Sequence, residues 1–256
     1  MSIWGAIVCG AALLLQEAPV PGSPEAVADA AIATFKQAYF RKGVTEDEQV
    51  LAIRTLGATA HAKTLAVLAP LMQEGRPISS RIASALVLAD FDKVDGTPQV
   101  LIKAYQNCER KVSARPVRIR IIQSLGDLKA DAASGLFNSA ILLDTDPWIV
   151  RAAVKAAGRL RGSASIDPLI RRLYHIESKQ GDKPPANGGQ APDPSKAGGA
   201  PGAPSSEGID TSKTDRQVLQ APIHEALHSI TRQRHTCAET WAKWWAQNRK
   251  DYKVPP

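Results

Sequence analysis

Four times along this chain an apolar ladder, a Leu-Gly-like step and a second apolar ladder recur, at Leu56-Gly57, Leu88-Ala89, Leu125-Gly126 and Ala157-Gly158. The steps are 32, 37 and 32 residues apart, the length of one helical hairpin in an α-solenoid. A hairpin of that size cannot cover both of its apolar stripes. It must therefore stack on neighbours, and about three units are the least that stand alone.

Counting from each step, the position four residues earlier is Ile53, Ala85, Ile122 and Val154, and the position eleven later is Leu68, Val100, Phe137 and Leu169. Four residues beyond those come Met72, Ala104, Ile141 and Leu173. Apolar residues at i and i+4 on both sides of a helix-breaking glycine predict two amphipathic helices folded against each other, with the glycine as their turn. Apolar residues make up 44% of the chain and aromatic ones only 5%, which suits helices packed through small side chains, and no strand-like alternation recurs. The expectation is an all-α fold, a right-handed α-solenoid of about five helical hairpins.

Residues 1–22 read differently, because Ile3 to Leu15 is an uncharged apolar run. Its length suits a signal-peptide core better than a membrane span, which needs roughly 20 residues. Export to a periplasmic or extracellular place is the favoured expectation, with no integral membrane domain after processing. An uncleaved anchor or an apolar first helix is the alternative, with a cytoplasmic location if export does not occur.

Residues 23–178 hold the repeats. Ser23-Pro24-Glu25 predicts the start of a first helix to about Arg41, its stripe carrying Val27, Ala31, Phe35 and Ala38 and capping the stack. Thr45-x-x-Glu48 is a capping box, and Thr97-Pro98 and Asp146-Pro147 repeat a cap-then-proline device. From 179 to 213 prolines and glycines crowd so closely that the stretch is expected to be a disordered linker. A last helix pair is expected over 214–250, started by Thr214-x-x-Gln217, divided or kinked at Pro222, and restarted by Thr236-x-x-Glu239.

One pattern points to an enzyme: His224-Glu225-Ala226-Leu227-His228 fits H-E-x-x-H, in which i and i+4 histidines share a helix face to hold zinc. Pro222 lies just upstream, Thr231 and Arg234 stand where the extended motif needs Gly and His, and no sheet is expected to bind a substrate strand. No catalytic residue and no cofactor is therefore assigned. A metal site without catalysis is kept as an alternative, its candidates His224 and His228 with His235 or Glu239 as a further ligand. Of the cysteines, Cys9 falls in the apolar segment, and Cys108 and Cys237 are too far apart in the stack to pair.

The net charge is +7. Arg110, Lys111, Arg115, Arg118 and Arg120 cluster in the third repeat, and Lys155, Arg159, Arg161, Arg171 and Arg172 in the fourth. A basic groove would attract nucleic acid or another polyanion, but stacking aromatics are absent among these cations. Arg81, Arg118 and Arg151 occupy equivalent repeat positions, and with Lys155 and Arg159 they are the candidate binding residues. Trp241, Trp244 and Trp245 form one helical stripe, expected to plug the end of the stack.

The stretch Asp146-Pro147-Trp148-Ile149-Val150-Arg151, Ala157-Gly158-Arg159-Leu160 and Asp167-Pro168-Leu169-Ile170 resembles a HEAT repeat, over roughly Pro24 to His175; the second repeat has Ala89 where glycine is usual. Ile230-Thr231-Arg232-Gln233 followed by Trp241-x-x-Trp244-Trp245-x-x-Asn248 is similar to the tail of exported bacterial HEAT-repeat proteins, which usually carry glycine where Arg232 stands. In such repeats arginine at the Val-Arg position commonly pairs with neighbouring carboxylates. The resemblance implies a non-catalytic scaffold that binds a protein or peptide partner on the concave face formed by the second helices.

Overall fold

The computed structural model describes residues 22–178 and 211–255. The expectations for the apolar segment, for Cys9 and for nearly all of the Pro/Gly-rich stretch lie outside the described residues. Within them the chain is helical, with no strand: α1 Pro24–Tyr39, α2 Glu46–Gly57, α3 Ala62–Leu68, α4 Ile78–Val87, α5 Thr97–Gln106, α6 Arg115–Asp127, α7 Ser134–Leu143, α8 Pro147–Leu160, α9 Ile166–Ser178, α10 Thr211–Thr231 and α11 Ala238–Asn248. No helix among the described residues is long and apolar enough to cross a membrane.

The helices stack in two rows. In the first, α2, α4, α6, α8 and α10 each pack on the next; in the second, α7 packs on α9 and α9 on α11, while α1 closes the N-terminal end against α2 and α3. The columns aligned from sequence form the seam between units: Ile53, Ala85, Ile122, Val154, Leu68, Phe137, Leu169, Met72, Ile141 and Leu173 are all buried. This is an all-α solenoid.

Within it, the Leu-Gly step is not the turn it was expected to be. Gly57, Gly126 and Gly158 lie in the last turns of α2, α6 and α8, and each sits where the next first-row helix comes closest. A methyl group at Gly126 would stand 2.8 Å from Ala156 Cβ, and one at Gly158 3.1 Å from Ala226 Cα, inside van der Waals contact; at Gly57 it would collide with Val87. Two hydroxyls tighten the same row, Ser124 Oγ donating to the Ala85 carbonyl (2.6 Å) and Ser229 Oγ to the Gly158 carbonyl (3.0 Å). After α6, α8 and α10 the chain reverses at Lys129, Arg161 and Arg232, whose φ angles of 48°, 57° and 60° are left-handed values that favour glycine. Among helices consecutive in the chain, the close packing joins α1 to α2, α5 to α6, α7 to α8 and α9 to α10, one helix out of step with hairpins drawn around the glycine.

Local signals fared unevenly. Ser23 caps α1, Thr45 and Glu48 form a reciprocal capping box on α2, and Asp146 caps α8. The α1 stripe is Ala28, Phe35 and Tyr39 rather than Val27 and Ala38, which are exposed. Thr97 donates its hydroxyl to the Val94 carbonyl (2.8 Å) instead of capping α5. Because α10 already begins at Thr211, Thr214 lies inside it, and the helix runs unbroken through Pro222. Cys237, not Thr236, is the N-cap residue of α11. There the Ala238 amide donates across the stack to Glu177 Oε2 (2.9 Å), a tertiary cap that no local pattern announces.

Candidate functional site

The long 37-residue interval marks the site. Compared with the next unit, its additional five residues fall in the connection after the second-row helix, which runs from Asn107 to Ala114 between α5 and α6 but only from Asp144 to Asp146 between α7 and α8. Beside this connection α5 and α7 pack little on one another. Between them opens a groove of about 900 Å³. One wall carries Ile102 and Tyr105 of α5, the other Gly135, Leu136 and Ser139 of α7.

The end of the groove is polar and self-assembled. Arg118, at the start of α6 and buried, donates to the Tyr105 hydroxyl oxygen (2.9 Å) and to Asp144 Oδ2 (2.5 Å), with its guanidinium 5.1 Å from the Tyr105 ring centre. Arg115 pairs with Asp146 Oδ2. The other carboxylate oxygens accept backbone N–H groups, Asp144 Oδ1 from Asp146 and Asp146 Oδ1 from Trp148, both at 3.0 Å. Burial pushes the Tyr105 hydroxyl above its usual range, against the pull of Arg118, so it keeps its proton. Burial opposes the charge on Arg118, but Tyr105 and Asp144 outweigh that and hold its proton affinity above the ordinary value.

The five candidate binding residues do not form one site. Arg118 is the groove floor. Arg81 is buried and pairs with no carboxylate, donating instead to the Met72 carbonyl (3.3 Å) and to Cys108 Sγ (3.1 Å). Arg151 lies 5.7 Å from the Trp148 ring centre, and its Nε has no partner. Lys155 is exposed on α8, and Arg159 forms an exposed pair with Asp127. The expected arginine–carboxylate ladder thus holds at one of its three positions. A second buried pair, Arg172 with Asp215 at 3.7 Å, ties α9 to α10; burial weakens the hold of Arg172 on its proton, and Asp215 opposes that.

The histidine pair belongs to the end of the stack. Nδ1 of His224 accepts the Trp241 indole N–H (3.2 Å), and Nδ1 of His228 lies 3.0 Å from the Gln233 carbonyl. Among the described residues no group of three or more His, Cys, Asp or Glu side chains is placed to hold a metal ion. Burial lowers the His224 pKa, against the Glu177 charge and the His235 backbone. Of the three tryptophans only Trp241 is fully buried; Trp244 and Trp245 are half-buried against Tyr252. Cys108 and Cys237 are both free thiols.

A comparison with known families adds one decisive match: the model of HEAT repeats covers residues 113–178, from the turn before α6 to the end of α9. Residues 113–178 are similar to HEAT repeats. The matched segment holds α6 and α8 of the first row and α7 and α9 of the second, and the groove opens where it meets α5. No curated protein and no solved structure matches the chain. HEAT repeats are helical scaffolds that typically mediate protein interactions and are generally non-catalytic.

Proposed function

We propose that this protein is a binding scaffold whose HEAT repeats hold a segment of polypeptide in the groove between α5 and α7. One observation carries the reading: the second row parts between α5 and α7, and the cleft there is of ligand-site size. The lining supports a polypeptide ligand, since Val112 and Leu143 are exposed apolar side chains of the groove. A nucleic-acid backbone fits less well, because the five candidate cations do not form one continuous site and Arg118, the one that lines the groove, is already paired with Asp144.

Gly135 supplies the test. A side chain there meets nothing within 4 Å, so Gly135→Trp fills the groove and leaves the core alone. Selection of a phage-displayed random peptide library on the full chain should yield clones that bind the native protein and fail to bind Gly135→Trp. If every binding clone tolerates the tryptophan, or no clone is obtained, the groove is not the recognition site.

A further inference from the structure

We infer that the segment the groove takes is acidic, a peptide presenting an Asp or Glu carboxylate beside an apolar side chain; this rests on the groove being the binding site. At the groove end, free donors outnumber free negative charge. Both carboxylates at the groove end are charge-matched, Asp144 by Arg118 and Asp146 by Arg115, and each of their oxygens already accepts one hydrogen bond. The acceptor sites left on them therefore offer a basic ligand little net negative charge.

The donors are in surplus. The oxygen of Tyr105 is engaged as an acceptor from Arg118, so its O–H is free to donate outward. Arg110 is exposed, forms no ion pair among the described residues, and lies close enough for its charge to act on Tyr105. Lys111 is exposed and meets the Glu109 carboxylate at 3.1 Å, which engages one of the three N–H donors of its ammonium. Arg115 uses its Nε on Asp146 and has its terminal N–H groups to spare. A carboxylate arriving between Tyr105 and Arg110 gains charge-assisted hydrogen bonds without displacing an internal one.

The apolar half of the motif follows from the walls. Leu136 and Ile102 are packed against the core from the groove side, while Val112 and Leu143 stand mostly exposed at its mouth. A ligand covering Val112 and Leu143 would remove apolar surface from water, and a phosphate backbone would not.

The groove-dependent clones decide it. Their sequences should be enriched in Asp and Glu next to Leu, Ile, Val or Phe. A fluorescein-labelled clone peptide should lose about tenfold or more in affinity when its acidic residue is changed Glu→Gln. The paired variant Arg110→Ala with Lys111→Ala, two exposed positions, should weaken the same peptide and flatten its salt dependence while leaving the melting temperature in place. Groove-dependent clones that are neutral or basic, or a Glu→Gln peptide that binds equally well, overturn the acidic assignment and leave the groove standing. Displacement of the peptide by a short DNA duplex, lost in Gly135→Trp, would also overturn it, in favour of a polyanion site. Absence of groove-dependent clones sinks the groove itself.

Discussion

Gly126 and Gly135 are nine positions apart and lie in opposite worlds. Gly126 is buried in the first row, where even a methyl group would press on Ala156; Gly135 is exposed in the second row and faces open space. The first row is held together by small residues and by hydroxyl-to-carbonyl bonds along its length. The second is interrupted where a five-residue longer connection lets α5 and α7 part. Stability and recognition are therefore separated across the thickness of the stack: one row makes a continuous core and the other is free to open.

The contrast can be broken in several places. The largest effect is expected at Arg118, which belongs to the groove by position and to the core by burial. Arg118→Ala leaves Asp144 without its guanidinium and should cost about 3–5 kcal/mol, a fall in melting temperature of roughly 10 °C for a chain of this size. An unchanged melt would mean that the groove floor contributes nothing to the fold. Next comes the glycine pair. Gly126→Leu should destabilise by about 1–3 kcal/mol through overpacking, whereas Gly135→Leu should stay within about 0.5 kcal/mol of the native protein; equal losses by chemical denaturation would erase the distinction between rows.

A smaller effect, of opposite sign, is expected at the first-row turns. Lys129 holds a left-handed backbone at φ 48°, and Lys129→Gly should stabilise by about 1 kcal/mol. A lower melting temperature would show that the lysine side chain matters more than its backbone strain. The smallest effect concerns pH at the last hairpin. Burial lowers the pKa of His224 from its ordinary 6.5, so the unfolded chain takes up the proton first. The contribution of neutral His224 is complete above pH 6.5 and declines as pH falls through the lowered folded value. Protonation also removes the acceptor that Nδ1 offers Trp241. Melting curves of the native chain and of His224→Gln should converge in acid and separate toward neutral pH; parallel curves would contradict this.

Much of this was written in the sequence. The four-fold columns identified the buried seam almost residue by residue, because burial in a stacked hairpin imposes the same spacing on every unit. The irregular interval of 37 was visible as well, although only the structure shows that its additional residues lie in the α5–α6 connection and open a groove. The glycine was misread for a physical reason: a residue lacking Cβ can end a helix or bring two helices together, and periodicity alone does not separate these. The arginine ladder failed at Arg81 and Arg151 because repeat position fixes where a side chain starts, whereas its partner is set by the neighbouring unit, here the Met72 carbonyl or the Trp148 ring. The cap on α11 comes from Glu177, which precedes it by a whole helix and the Pro/Gly-rich stretch, so no local window contains the pair.

Backbone hydrogen exchange of the full chain, with and without a groove-dependent peptide, tests the central claim most directly. Protection should rise in α5, in the 107–114 connection and in α7, with the first-row helices α4, α6 and α8 as slow as before. Protection that appears instead along the exposed Lys155 and Arg159 face of α8, or an α6–α8 contact that exchanges as fast as the groove walls, would contradict the division of the stack into a closed row and an open one.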